Sequence, residues 1–347
     1  MRCPYDVGAI VRANKNGDIY RLLCRLGDGA SAFVFEAGHL RTGERVALKL
    51  LRQSVSAKRM DRECAPFQAL AHSSIVRLLD FGFTRDDHQM PYLVMPLLRG
   101  ASLRTVLDSQ PPLGVERGID YGSEIFAALA HAHAAELLHG DLRPANIFVE
   151  RLAPLAHGVV LMDFGLSSAL SEDFPPTQRS IGDPRYAAPE LFYGHAPSIA
   201  TDLYAAGLVL FEMLTGTHAL GAASNDWGYT HYFAAAPPLQ ALLPAAPAAL
   251  VALLASLLAK PVRERPPSAE ACVDALSAIQ ENLLVPGSNS TTEDGVDSML
   301  KRIAGPDSEE DTQVDPPPPS LLREASDADD TDKRSPPSFS NWPISTR

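Results

Sequence analysis

The 347 residues carry 30 Lys and Arg against 42 Asp and Glu, a formal net charge of −12, and 46% of them are hydrophobic. That apolar fraction can bury a sizeable core, so wholesale disorder is excluded, and the length suits about two domains or lobes with extras. The acid excess argues against a nucleic-acid binder, which would show a basic stripe.

The opening stretch, residues 1–17, has no apolar segment followed by a cleavage site, so it is expected to be an N-terminal extension and not a signal peptide. Asp18 to Leu26, Ala32 to His39 and Glu44 to Leu51 are β-branched or aromatic-rich runs broken by glycine and by the turn Arg41-Thr42-Gly43, which predicts strands. Ala57 to Ala71 predicts a helix that Pro66 should kink or restart. Ile75 to Phe83 and Tyr92 to Met95 again predict strands. Beyond Ser102 helices dominate: Arg117 to Glu136, Thr201 to Leu214, Ala248 to Leu258 and Ala269 to Leu283. The longest apolar run, Ala248 to Ala259, is interrupted only by Ser256 and is shorter than the ~20 residues of a membrane span. A chain without a membrane span is therefore expected. Cys3, Cys24, Cys64 and Cys272 form no CxxC pair and have no histidines at metal spacing, which suits a reducing, cytoplasmic setting. The fold class expected is α+β, with a small β-rich lobe over residues 18–96 and a larger helical lobe over 97–284. The cleft at their joint is where a ligand would bind. From residue 285 the chain turns acidic and proline-rich, with 13 acids and 6 bases between Gly287 and Arg347. Such a segment cannot offset its ordering entropy and is expected to be a disordered tail, with a short helix around Val296 to Ile303. Its run Pro316 to Pro319 has the composition to engage a partner or regulator through an aromatic groove, although a solvated tail is an equal expectation.

Between two predicted strands lies Leu26-Gly27-Asp28-Gly29-Ala30-Ser31-Ala32-Phe33-Val34, whose small residues let backbone N–H groups fold over a phosphate chain. A plain strand-connecting turn would look the same. Lys49 ends the apolar run Val46-Ala47-Leu48-Lys49, where an ammonium is costly unless it meets an anion. Glu63, on the following helix, is a candidate partner. Further on come His139-Gly140-Asp141-Leu142-Arg143-Pro144-Ala145-Asn146 and a strand ending in Asp163-Phe164-Gly165. Two carboxylates and an amide at strand ends suit metal-assisted phosphoryl transfer.

In this order, and with Ala188-Pro189-Glu190, the Thr201-to-Gly207 stretch and Arg265, these motifs resemble the protein kinases of the eukaryotic-like serine/threonine type found in bacteria, over about Tyr20 to Leu283. The resemblance implies a bilobal fold, ATP and Mg2+ as cofactors, and a protein substrate. It implies Asp141 as catalytic base, with Arg143 and Asn146 as the other catalytic-loop residues. Asn146 and Asp163 would be the metal ligands. Lys49 would hold the α/β-phosphates and be held by Glu63. Leu26, Gly27, Gly29, Val34, Ala47, Met95 and Leu98 would complete the nucleotide site, with Met95 at its back and Leu97 and Leu98 at the hinge. Glu190 and Arg265 would form a buried pair, and Asp202 would brace the catalytic loop.

Four departures stand out against the family. Ala32 replaces the third loop glycine. Only 14 residues separate Lys49 from Glu63, which makes that pair the least secure contact. Gly140 replaces the arginine that reads an activation-segment phosphate in relatives, so activity is expected not to depend on phosphorylating Thr177 or Ser180. Arg143 and Asp183 replace a lysine and a threonine, and are expected to form a salt bridge that either supports the site or ties up the charge meant for the γ-phosphate. Two other functions compete with an active protein kinase. One is a catalytically weak pseudokinase scaffold, suggested by these departures. The other is an aminoglycoside-type phosphotransferase, whose loop also reads His-Gly-Asp but which lacks the Ala-Pro-Glu segment and Arg265.

Overall fold

The computed structural model describes residues 3–13, 17–29, 31–52, 55–109, 112–151, 157–164, 182–221 and 224–284. In the small lobe, β1 (Ile10–Arg12), β2 (Ile19–Asp28), β3 (Ala32–His39), β4 (Arg45–Leu51), β5 (Asp80–Phe83) and β6 (Pro91–Pro96) form one antiparallel sheet in the order β1-β2-β3-β4-β6-β5. An antiparallel bridge between Ala13 and Thr84, with Arg85 N–H donating to Arg12 C=O at 2.8 Å, joins the two outer strands, so the sheet closes on itself. Closure leaves no long unpaired edge. Alternation along β4 then sorts its residues. Val46, Leu48 and Leu50 enter a core with Phe33, Phe35 and Tyr92, while Leu51, two residues beyond Lys49, joins the other core beneath α1 (Ala57–Ala69). Asp80 is buried in the closed sheet and accepts the Tyr92 hydroxyl at 2.9 Å.

In the large lobe, β7 (Gly100–Ser102), β8 (Ile147–Arg151) and β9 (His157–Leu161) make a three-stranded sheet beside α2 (Leu103–Ser109) and α3 (Val115–Ala134). Then come α4 (Ile199–Thr215), α5 (Trp227–Phe233), α6 (Leu239–Leu242), α7 (Ala248–Leu257) and α8 (Ala269–Leu284). α4 is buried on all sides from Thr201 to Leu214, the mark of a central helix, and a Ser198–Thr201 capping box starts it. α3 comes close to it because Gly118 has no side chain: a Cβ there would lie 2.6 Å from Leu214 Cδ2.

Several expectations change. The segment read as an extension supplies β1, too short for any periodicity to register. Only Asp80–Phe83 of the run from Ile75 is a strand; Ile75 instead forms a single parallel bridge with Leu161 at the end of β9. α1 runs unbroken through Pro66, although proline there forgoes one helical hydrogen bond. The short elements β7, α2, α5 and α6 carried too few residues for a sequence signal. The expected helix around Val296, the Pro-rich tail, Gly165, Thr177 and Ser180 lie outside the described residues. Among the described residues no disulfide joins Cys3, Cys24, Cys64 or Cys272.

Candidate active site

Asp202, on the first turn of the buried helix α4, organises the catalytic loop. Its carboxylate accepts the backbone N–H groups of His139 at 2.8 Å and Gly140 at 2.9 Å, and His133 Nε2 lies 2.9 Å away. This is the bracing role expected of it. His139 is fully buried, which lowers its pKa and keeps the ring neutral, and its Nδ1 accepts Asp141 N–H at 3.3 Å. A single 3₁₀ turn, Pro144–Asn146, brings Asn146 back beneath Asp141. The Asn146 amide donates to Asp141 C=O at 2.8 Å and to Asp141 Oδ2 at 2.9 Å. Both partners are acceptors, so the NH2 must face them and Asn146 Oδ1 points elsewhere. Asp141, Asn146 and Arg143 therefore come together as expected, with Arg143 Nε 3.6 Å from Asp141 Oδ2.

The expected Arg143–Asp183 contact forms at 3.1 Å, from Arg143 Nη1 to Asp183 Oδ2. Sequence reasoning missed its second partner, Arg185, which grips the same carboxylate with Nη2 at 2.6 Å to Oδ2 and Nε at 3.0 Å to Oδ1. Burial opposes ionisation of Asp183, but the Arg185 hydrogen bonds and the two guanidinium charges outweigh it and hold the carboxyl below its ordinary range. Gly182 precedes it with φ +72°, and a Cβ there would sit 2.6 Å from Asp141 Oδ1, so glycine is required on both counts. His231 Nε2 donates to Pro184 C=O and His218 Nε2 to Arg185 C=O, each at 2.9 Å. Tyr186 OH donates to buried Glu212 at 2.6 Å, and Glu212 also pairs with Arg104. The Glu190–Arg265 pair is buried and bidentate, at 2.7 and 2.9 Å, as expected. Neither histidine gave a sequence signal, because α5 and the loop before it carry no motif.

Across the cleft, strand register sets the small-lobe residues side by side. Val34 is opposite Lys49, Ala47 is opposite Met95, and Gly27 is opposite Val34. Gly29 turns the loop by donating to Ala32 C=O at 3.0 Å, and Arg52 ties it from the end of β4 with a 2.9 Å bond to Gly29 C=O and an ion pair to Asp28. Leu26 is half exposed, and Leu98 packs partly buried against the core. Lys49 is buried, and its Nζ meets Asp163 Oδ1 at 2.5 Å. Asp163 takes φ +59°, the left-handed conformation that an Asp tolerates better than most residues, and so turns out of β9 toward the lysine.

The expected Lys49–Glu63 pair is not formed. Glu63 is bound instead by its neighbour Arg62 at 2.7 Å. The buried face of α1 is Met60, Cys64 and Phe67; at about 100° per residue Glu63 falls at the edge of it, about 40° beyond Phe67, where Arg62 reaches its carboxylate. α1 nonetheless touches the large lobe through Phe67, whose ring lies 5.4 Å from Phe164, and Phe164 in turn stacks 4.6 Å from His139.

Residues 20–276 match the family model described as protein kinase domain. The chain is 30% identical over 256 residues to a probable serine/threonine-protein kinase PknB of Lactococcus lactis, covering 72% of this chain and 40% of that protein. It is 31% identical over 301 residues to serine/threonine-protein kinase Pkn1 of Myxococcus xanthus, covering 83% of this chain and 42% of that one. The chain thus spans less than half the length of these relatives. Among solved structures, that of Rad53 residues 1–466 in complex with AMP-PNP is similar with a TM-score of 0.60 and 25% identity, over 75% of this chain and 65% of that one. The closed small-lobe sheet, the α4-braced loop and the facing Lys49 and Asp163 are therefore those of a chain that belongs to the protein kinase domain family.

Proposed function

We propose that this chain is a serine/threonine protein kinase that transfers the γ-phosphoryl group of ATP to hydroxyls of a protein substrate, and that it works in the cytoplasm. It is carried by one observation: Asp141 is aimed and held by the Asn146 amide, while Lys49 and Asp163 face each other across the cleft. Among the described residues no helix is long and apolar enough to cross a membrane.

Asn146 Oδ1 and the second Asp163 oxygen are left over by these bonds, and such hard oxygen donors suit Mg2+. Among the described residues no cluster of three or more His, Cys, Asp or Glu could hold a metal by itself. Two such side chains would leave nucleotide phosphates to complete the ion's shell. When bound, the ion would neutralise charge on those phosphates. Asp141 would accept the proton of the incoming hydroxyl, Lys49 would leave Asp163 for the phosphates, and Arg143 would face the transferred group. Gly140 leaves the loop without the arginine that reads an activation-segment phosphate, so turnover should not require phosphate on Thr177 or Ser180.

The Lys49–Asp163 pair with Glu63 turned away favours one second reading, a chain that binds nucleotide but turns it over feebly. Turnover of magnesium-ATP with a generic protein substrate, followed by phosphoamino-acid analysis, separates the two. Phosphoserine or phosphothreonine formed by the wild type, and lost in Asp141→Asn and Lys49→Met, supports the kinase. Nucleotide binding without incorporation supports the scaffold.

A further inference from the structure

Two carboxylates and two guanidiniums meet at the acceptor side of the site. Arg143 lies between the acids, with Nη1 3.1 Å from Asp183 Oδ2 and Nε 3.6 Å from Asp141 Oδ2. Alone, Arg143 would face two anions with one charge. A carboxylate takes a guanidinium best in a two-pronged pair, so an otherwise unpartnered Asp183 would draw in Arg143 with both oxygens. Arg185 prevents this by occupying both. Its Nε is 3.0 Å from Oδ1, its Nη2 is 2.6 Å from Oδ2, and its own backbone N–H adds a bond to Oδ1 at 3.1 Å. Asp183 is thereby saturated, and Arg143 keeps one edge of its guanidinium turned to Asp141.

We infer that Arg185 is a positioning residue for phosphoryl transfer: by holding Asp183 it keeps Arg143 beside Asp141. This rests on the kinase function proposed above. The backbone around the cluster is fixed independently of it. His231 and His218 hold the carbonyls of Pro184 and Arg185, Tyr186 is tied to Glu212, and Gly182 packs against Asp141. Loss of the Arg185 side chain therefore changes who pairs with Asp183 before it changes the path of the chain.

The test compares Arg185→Gln, Asp183→Asn and the double variant. In Arg185→Gln, Arg143 should close on Asp183 with two bonds and move beyond the ~4 Å ion-pair limit from Asp141 in a crystal structure. Its kcat should fall roughly 10-fold, with KM for ATP changed less than about 2-fold, because the loss is confined to the transfer step. Removing the acid as well should release Arg143, so the double variant should regain turnover to within about 3-fold of Asp183→Asn. A merely structural arginine would not be rescued by a second substitution beside it.

An Arg143 that stays beside Asp141 in Arg185→Gln overturns the inference, whatever the activity. So does a double variant no faster than Arg185→Gln alone. If Arg185→Gln does not fold, Asp183→Asn/Arg185→Gln still decides: the inference requires it to fold and turn over, and failure of both sinks it. A wild-type protein that transfers no phosphate would instead sink the kinase assignment, and the position of Arg143 would still judge this one.

Discussion

The two sides of the cleft are held by different physics. On the large-lobe side the catalytic loop and the segment from Gly182 to Tyr186 sit in a network in which most key groups have more than one partner. Asp202 takes two backbone N–H groups, Asn146 takes Asp141, and Asp183 takes two arginines. On the small-lobe side, among the described residues, a single ion pair, Lys49–Asp163, spans the gap, with Asp163 a third exposed. Groups held by several partners at once are costly to disturb, whereas one ion pair with a part-exposed acid exchanges partners more cheaply. Under the proposed function, the difference teaches that the acceptor half is assembled in advance, while the nucleotide half waits for an anion to take Lys49 from Asp163.

The harshest way to sharpen this contrast is to remove chemistry without touching the frame. Asp141→Asn keeps the shape and most of the hydrogen bonds of the acceptor half. Phosphate incorporation should fall by about 10²- to 10⁴-fold, the range for losing a positioned general base. The thermal midpoint should stay within a few degrees of wild type; a variant that melts early would mean that the acid is structural.

Next comes an attack on the frame itself. Arg265 is buried and gives Glu190 a bidentate partner while also donating to the carbonyls of Ala259, Ala200 and Lys260. Arg265→Leu strands Glu190 in the core, and about 3–5 kcal/mol of stability should be lost in denaturant unfolding. A loss below about 1 kcal/mol would show that the large lobe is not held as described.

How much of this was legible beforehand follows the same division. The α4 helix, the catalytic loop, the Glu190–Arg265 pair and even Arg143–Asp183 could be read, because each sits on a long element or a fixed-spacing motif. What escaped depends on short elements and on rotamers. β1 is three residues long, α5 carries His231 without any motif, and Arg185 stands two residues from Asp183 with nothing in the spacing to reveal which way it turns. The Lys49–Glu63 expectation failed because it needed the rotation of α1, and a wide apolar stripe fixes that only to within a flank. Lys49 then took the carboxylate that a left-handed Asp163 presented.

A pH titration probes the large-lobe half more gently. His231 is fully buried, and desolvation first, then the Lys260 charge, push its pKa from 6.5 down to about 3. Its Nδ1 lies 3.0 Å from the Tyr204 hydroxyl, which Lys260 in turn hydrogen-bonds. The unfolded chain takes up this proton near pH 6.5, and the folded one does not until about 3. Stability is therefore full above pH 6.5 and falls as the pH drops through that window. Each pH unit removes about 1.4 kcal/mol per such group, so acidification to pH 4.5 should cost on the order of 3 kcal/mol from His231. Burial lowers the pKa of His139, His218 and His72 as well, which adds in the same direction. His231→Gln, which can still donate to Pro184, should flatten the curve by the His231 share, and an unchanged slope would refute the assignment.

The smallest effect is the most discriminating for the nucleotide half. Without nucleotide, a double-mutant cycle between Lys49→Met and Asp163→Asn should give a coupling of about 1 kcal/mol in unfolding experiments. The parallel cycle with Glu63→Gln should give about zero within the ~0.3–0.5 kcal/mol over which independent sites add, because Glu63 is taken by Arg62. Reversed couplings would mean that α1 is rotated inward in solution and that the lysine already has its helix partner. Saturating magnesium-ATP should then lower the Lys49–Asp163 coupling, since phosphate oxygens and carboxylate compete for one ammonium. If it does not fall, Lys49 never leaves Asp163, and the nucleotide half is as locked as the half facing the acceptor.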